Sequence, residues 1–411
     1  MADPSTSPPL TRASVQEARE LIRPFVHQTP VMTSSSLSAL VSERITGGGG
    51  GGGKGGEGGT KKKRPKVRLW FKCENFQKVG AFKARGAFHA IERLKKEPGW
   101  WGEGGKWERG VVTHSSGNHA QALALAARAN NIPAHIVMPS ISAAPKIAAT
   151  KGYGARVVFS GSTSVEREAV TAQVVRDTGA RLVPPYDHPD IILGQGTLGL
   201  EFQEQVEGMM REGGAYGFGG GGRKGKKKRN KGLDVILAPC GGGGMLSGVA
   251  LSCADTGILV FGTEPSFQGA DDAKRAYQSP EGARIPAVSS LTIADGLRTP
   301  VGAHPWSVIY ERRLVAGFYS VTDAQIRRAL RLVYERMKIV VEPSAAVPLA
   351  VALYDGEFGE WLEREVGGDD EEEGDGEGEG LDVGIVFSGG NVSLEALGKL
   401  FAEEEEEEEG S

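Results

Sequence analysis

Short, uninterrupted apolar runs alternate with amphipathic stretches along most of this chain, and no other feature constrains the fold as strongly. The β-branched runs GVVTHSS, AHIVMPS, ARVVFSG, DVILAPC, ILVFGTEP and GIVFSGG are separated by helical patterns such as HAQALALAARANN, VEREAVTAQVVRDTG and AQIRRALRLVYERM. A strand that is apolar on both faces must be covered on both, so the alternation implies parallel sheets between layers of helix. The expected fold class is α/β, with two parallel-sheet domains of three layers each. In such folds ligands bind beyond the C-terminal ends of the strands.

Four segments interrupt the pattern: residues 47–66, 212–232 and 367–380, and an acidic tail at 404–411. Their Gly, Lys and Glu composition cannot bury apolar surface, so they read as flexible surface excursions. Around them we expect a large domain from 1–95 and 189–403 and a small domain from 96–188. The runs KKKRPK and KGKKKR could serve as nucleic-acid patches. Solvated lysines offset by the acidic tracts are the plainer reading, and the net charge of −4 gives the whole molecule no strong pull toward nucleic acid or membrane. Cys73, Cys240 and Cys253 are widely spaced and form no CxxC, which argues against a disulfide framework or zinc site and fits a reducing compartment. The N-terminus lacks an apolar leader core, and no run of about 18 apolar residues occurs. A cytoplasmic location is therefore expected.

Three turns at strand ends carry candidate chemistry: THSSGNHA (113–120), APCGGGGML (238–246) and FSGGNVSL (387–394). The tetraglycine Gly241–Gly244 lies between an apolar strand and a helix. Glycines let backbone wrap an anion, and the helix N-terminus supplies free N–H groups and a positive dipole end, so phosphate is the natural guest. It is not a Walker A, because no Lys-Ser/Thr follows. The segment KCENFQKVGAFKARGA (72–87) places Lys83 at the start of a helical run. Taken alone, Lys83 is as readily a surface lysine as a catalyst.

The ordered set FQKVGAFKARGA, THSSGNHAQA, GQGTLGLE, PCGGGGMLSG, TIADG, VEPSAAV and FSGGNV resembles the serine racemase and serine/threonine dehydratase family. Those are pyridoxal-phosphate (PLP) enzymes of fold type II, the tryptophan-synthase-β fold. The resemblance runs from about residue 15 to 402. It implies that Lys83 carries the cofactor as a Schiff base and abstracts the substrate Cα proton. It implies that Gly241, Gly242, Gly243, Gly244 and Met245 hold the phosphate, Asn118 bonds the ring oxygen, Phe82 packs near the ring, and Ser388 meets the pyridine nitrogen. Ser116 would be the acid/base on the opposite face; by its own position it could equally cap a helix. Ser115, Asn118, His119, Arg167 and Thr299 would surround the substrate carboxylate.

Two accessory sites are implied in the same way. Glu264, the carbonyl of Ala270 and Asp272 would bind Mg²⁺ (or Ca²⁺ or Mn²⁺), as suits hard oxygen ligands. Ser34, Ser35, Lys78, Gln121 and Tyr153 would form an effector site for ATP. The chain departs from the family pattern at Ala81 and Thr299, where serine is usual, at Val79, where threonine is usual, and in the longer loop before Asp272. The implied activity is serine racemisation with serine/threonine ammonia-lyase activity, giving D-serine and pyruvate plus ammonia, in a homodimer. Alternatives are a dehydratase without racemase activity, a 3-hydroxyaspartate dehydratase or aspartate racemase, and, from another class, a nucleic-acid-binding protein.

Overall fold

The computed structural model describes residues 6–47, 67–142, 144–212, 232–366 and 380–409. Strands β1 (Val31–Thr33), β2 (Val67–Cys73), β3 (Val111–His114), β4 (Ala134–Pro139) and β5 (Arg156–Ser160) are followed by β6 (Arg181–Leu182), β7 (Val235–Pro239), β8 (Leu259–Pro265), β9 (Gly317–Val321) and β10 (Leu381–Phe387). They form two sheets. The larger is six-stranded in the order β1-β2-β10-β7-β8-β9, and the smaller is four-stranded in the order β5-β4-β3-β6. Every pairing is parallel except β1 with β2.

The alternation of side chains along each strand explains the layers. Leu69, Phe71, Val235, Leu237, Val383 and Ile385 face one core, shared with the mostly apolar helix Pro343–Tyr354. Trp70, Ile236, Ala238 and Val386 face the other, shared with the helices Pro189–Arg211 and Gly244–Ser252. The smaller sheet departs from expectation at β5, whose residues are half-exposed, Phe159 being 51% exposed. It is an edge strand, so part of the apolar run ARVVFSG meets solvent instead of a helix.

The motif GQGTLGLE lies inside the long helix Pro189–Arg211, and its glycines permit two close helix crossings. A Cβ on Gly194 would sit 2.7 Å from Gly86 Cα, and one on Gly196 would sit 2.6 Å from the Gly248 carbonyl. Both the helix that begins at Lys83 and the helix that follows the tetraglycine are thereby clamped to one rod. Beneath the first lies a buried charge network. Arg85 bonds Glu74 Oε1 and Oε2 at 2.8 Å and Glu201 at 3.1 Å, and Lys72 bonds Glu201 at 2.5 Å and the Thr29 carbonyl at 2.8 Å.

The low-complexity tracts expected at 47–66, 212–232 and 367–380 lie, apart from their edge residues, outside the described residues. The acidic tail differs from expectation: the helix Leu394–Glu409 runs on into it as far as Glu409, as the good helix propensity of glutamate allows.

Candidate active site

Lys83 opens the helix Lys83–Leu94. The residues before it are pinned to the end of β10: the Phe82 N–H donates to the Ser388 carbonyl at 3.0 Å, and Ala81 forms a β-bridge with Gly389. Lys83 Nζ lies 5.1 Å from the centre of the Phe82 ring and donates to the Pro185 carbonyl at 2.7 Å. Burial lowers the pKa of Lys83 to about 8, against the opposing pull of the Glu342 carboxylate.

The chain from Pro185 continues directly onto the glycine turn. A Cβ on Gly242 would fall 2.4 Å from the Tyr186 ring, and one on Gly244 would fall 3.0 Å from the Tyr186 carbonyl. Gly243 adopts φ +80, and a Cβ there would meet Pro305 at 2.8 Å. The helix Gly244–Ser252 that follows has no side-chain cap, so its first N–H groups are offered to whatever sits before them. Met245 is buried in the core behind the turn. A second segment closes on the same turn, with the Gly302 N–H donating to the Gly242 carbonyl at 3.1 Å. Thr299 is half-buried just upstream of that contact.

The turn after β3 supplies the other group of residues. The helix Asn118–Ala129 has Gly117 as its N-cap and no side-chain cap. Ser116 therefore does not cap this helix, and its hydroxyl has no hydrogen bond among the described residues; Ser115 Oγ instead accepts from the Gly117 N–H at 3.2 Å. His119 is buried, with Nε2 3.2 Å from the Val183 carbonyl and Nδ1 without a partner among the described residues. Burial, helped by the charge of Lys83, depresses its pKa to about 3, so the ring is neutral. Arg167 lies on the helix Ser164–Thr178, close enough to His114 to disfavour a second positive charge there.

Asn118 shows what the sequence did not reveal. Its Nδ2 donates to Glu342 Oε1 at 3.0 Å and Oε2 at 3.3 Å, while its Oδ1 accepts from Asn391 Nδ2 at 2.8 Å. Glu342 is 5% exposed, and burial pushes its pKa up to about 8. It stands in the VEPSAAV motif just before a proline-initiated helix, where an acidic residue reads as helix-start chemistry. Only the apolar neighbours on both sides hinted at burial. Asn391 and Tyr186 were likewise invisible as site residues.

Lys83, Phe82, Ser388, Asn118, His119 and the glycine turn are thus joined by contacts through Pro185–Tyr186, Val183 and Glu342. What these groups lack defines what would fit. The helix after the glycine turn wants an anion, and the hydroxyl of the largely buried Ser388 has no hydrogen bond to the described residues. Beside them lies a lysine whose neutral amine burial favours. A phosphorylated pyridine aldehyde satisfies each of these, so the residues present suit PLP.

The accessory residues assemble less completely. Glu264 is fully buried and accepts from the N–H groups of Ala273 at 3.2 Å and Lys274 at 2.8 Å. Asp272 accepts from the Val301 N–H at 3.2 Å. Burial and each other's proximity raise the pKa of Glu264, and burial raises that of Asp272. Such a buried acidic pair, with Ala270 also buried nearby in sequence, suits a hard cation through oxygen. No cluster of three or more His, Cys, Asp or Glu side chains able to hold a metal occurs among the described residues. Within this loop Gln268 and Gly269 both adopt positive φ. Of the expected nucleotide residues, Ser34 Oγ accepts from the Leu37 N–H at 3.3 Å, Lys78 sits over the Phe88 ring at 5.6 Å, Gln121 is buried, and Tyr153 packs on the core around Ala120 and Leu123. Ser35 is exposed, and no hydrogen bond joins any two of the five.

Comparison with known proteins adds the following. The family described as pyridoxal-phosphate dependent enzyme matches residues 59–364. The chain is 35% identical to a serine racemase of Dictyostelium discoideum over 95% of its own length and 98% of the relative's. It is also 35% identical to an L-threo-3-hydroxyaspartate ammonia-lyase of Saccharomyces cerevisiae, covering 96% of this chain and 98% of that one. The crystal structure of the Dictyostelium discoideum serine racemase superposes with a TM-score of 0.70, covering 93% of this chain and 99% of that one.

Proposed function

This chain belongs to the pyridoxal-phosphate dependent enzyme family, and we propose that it racemises serine and eliminates water from serine or threonine as an ammonia-lyase. The observation that carries the reading is the placement of a buried, low-pKa lysine against the segment that packs on an uncapped glycine turn.

When bound, PLP withdraws electrons from an attached amino acid and makes its Cα–H acidic. Gly241, Gly242, Gly243, Gly244 and Met245 would hold the phosphate, Phe82 would flank the ring, and Asn118 would donate to the ring oxygen. Ser388 would face the ring nitrogen. A hydroxyl does not enforce protonation there as a carboxylate would, so the electron sink is moderate. Lys83, whose neutral amine is made more accessible by burial, takes the Cα proton on one face. Ser116, freed from capping, returns a proton on the other. Ser115, Asn118, His119, Arg167 and Thr299 would hold the substrate carboxylate, with His119 neutral. Departure of the β-hydroxyl before reprotonation yields keto acid and ammonia instead of the enantiomer. A tenfold change in that partition needs only about 1.4 kcal/mol.

Residues 96–188 would form the small domain and the remainder the large one. Mg²⁺ at Glu264, Ala270 and Asp272 would brace the Val301 segment that closes on the glycine turn. ATP as an effector and a homodimeric assembly follow from the family resemblance. Three buried free cysteines support a reducing, cytoplasmic setting, and no described helix is long and apolar enough to cross a membrane.

The test is incubation with L-serine, D-serine, L-threonine and 3-hydroxyaspartate, with keto acid and enantiomer measured. Ser116→Ala should abolish racemisation while elimination from L-serine survives, and Lys83→Ala should abolish both. Turnover of 3-hydroxyaspartate alone would favour the second reading, which the similarity to the yeast ammonia-lyase supports. Salt-sensitive nucleic-acid binding without any turnover would overturn both.

A further inference from the structure

A carboxylate buried beside a cofactor-binding amide is costly unless it does something a neutral group cannot. Burial raises the Glu342 pKa, but its side chain only accepts hydrogen bonds among the described residues, the pattern of an ionised carboxylate that these donors favour: Asn118 Nδ2 on both oxygens, and the Asn391 N–H on Oε2 at 3.2 Å. Asn391 is itself fixed, because its Nδ2 donates both to the Val79 carbonyl at 2.7 Å and to Asn118 Oδ1 at 2.8 Å. The network admits one orientation of the Asn118 amide. Flipping it would set Oδ1 against the carboxylate and NH₂ against the NH₂ of Asn391. With one Nδ2 hydrogen shared between the two carboxylate oxygens, the other Nδ2 hydrogen of Asn118 is left for a further acceptor. The glycines of FSGGNV make this closeness possible, since a Cβ on Gly389 would lie 2.8 Å from Glu342 Oε1.

We propose that Glu342 is a positioning residue: its carboxylate, braced by Asn391, locks Asn118 so that the one free amide hydrogen is presented to the cofactor ring oxygen. This rests on the reading that PLP binds at Lys83. A glutamine at 342 could not accept at both atoms, and its NH₂ would oppose either Asn118 Nδ2 or the Asn391 N–H. Besides Lys83, the charges acting on Glu342 are Asp295 and Lys146.

The experiment is a double-mutant cycle read by spectral titration of cofactor-free protein with PLP above pH 8, where Glu342 is ionised, and not by turnover. Glu342→Gln should weaken PLP binding about tenfold, the worth of one hydrogen bond to a charged group. It should also move the pH midpoint of the bound cofactor's visible absorbance downward, because an anion near Lys83 is lost. In an Asn118→Ala background the same substitution should cost less than about twofold. Equal losses in both backgrounds, or an unmoved pH midpoint, would overturn the proposal. If Glu342→Gln fails to fold, Asn391→Ala tests the same brace, with additive losses against Asn118→Ala as the refuting result. Failure of the wild-type protein to bind PLP at all would instead refute the reading beneath.

Discussion

Gly242→Ala tests the glycine turn with one methyl group. The added Cβ would sit 2.4, 2.5 and 2.7 Å from Cγ, Cδ2 and Cδ1 of Tyr186, all in the ring rather than at a flexible tip. Reaching ordinary contact near 3.5–4.0 Å requires about 1 Å of movement. The ring has little room to retreat. Its own carbonyl abuts Gly244, the preceding Pro185 carbonyl accepts from Lys83, and the following Asp187 accepts from the N–H groups of Ala303 at 3.0 Å and His304 at 2.8 Å. Overpacking of this kind costs about 1–3 kcal/mol, which should appear as a fall of several degrees in Tm. The displacement also reaches the carbonyl that orients Lys83, so PLP affinity should drop at least about tenfold. Thermal unfolding with and without PLP and a spectral titration give both quantities. Gly208→Ala is the matched control: nothing lies within 4 Å of its Cβ position, and alanine in a helix should be neutral or stabilising by about 0.5–1 kcal/mol. A Gly242→Ala protein with wild-type Tm and wild-type PLP affinity would refute the reasoning.

Arg85→Met should destabilise the protein by about 3–5 kcal/mol in chemical denaturation, because it leaves the carboxylates of Glu74 and Glu201 buried with too few partners. His119 should make stability depend on pH. Its pKa is near 6.5 unfolded and about 3 folded, so below pH 6.5 the unfolded chain binds the proton that the native state refuses. Its contribution to stability is therefore full above pH 6.5 and falls by up to about 1.4 kcal/mol per unit toward pH 3; His119→Asn should flatten that slope, and parallel curves would contradict the assignment. Cys73, Cys240 and Cys253 are buried, and burial raises all three thiols, Cys73 and Cys253 to about 12. A thiol reagent at neutral pH should label none in native protein and all three after denaturation.

Much of the fold was legible because local pattern and global architecture agree. Apolar runs other than the exposed edge strand β5 became buried parallel strands, and the turns at 113–120, 238–246 and 387–394 stand at the C-terminal ends of three of them. Lys83 stayed ambiguous until its partners were in place, since nothing local distinguishes a helix-start lysine from a buried one. Glu342 could not be found from spacing. It lies far along the chain from Asn118, and the reason for an acid there is the pair of amides that converge on it. The glycines of GQGTLGLE carry a similar lesson, because their necessity lies in Gly86 and Gly248 on other helices. The capping reading of Ser116 failed by one residue: Gly117 took the cap position.

The place of β10 carries a consequence for how the protein is made. It lies between β2 and β7 in the larger sheet, yet it is the last of the ten described strands along the chain. Until residues 381–387 emerge, the β1–β2 pair and the β7–β8–β9 group cannot share a sheet. Each exposes an apolar strand edge open to unwanted pairing. The smaller sheet uses only residues 111–182 and can close much earlier. A nascent chain halted before residue 381 should therefore carry one finished sheet and one broken one, and it should need chaperone protection until the missing middle strand arrives.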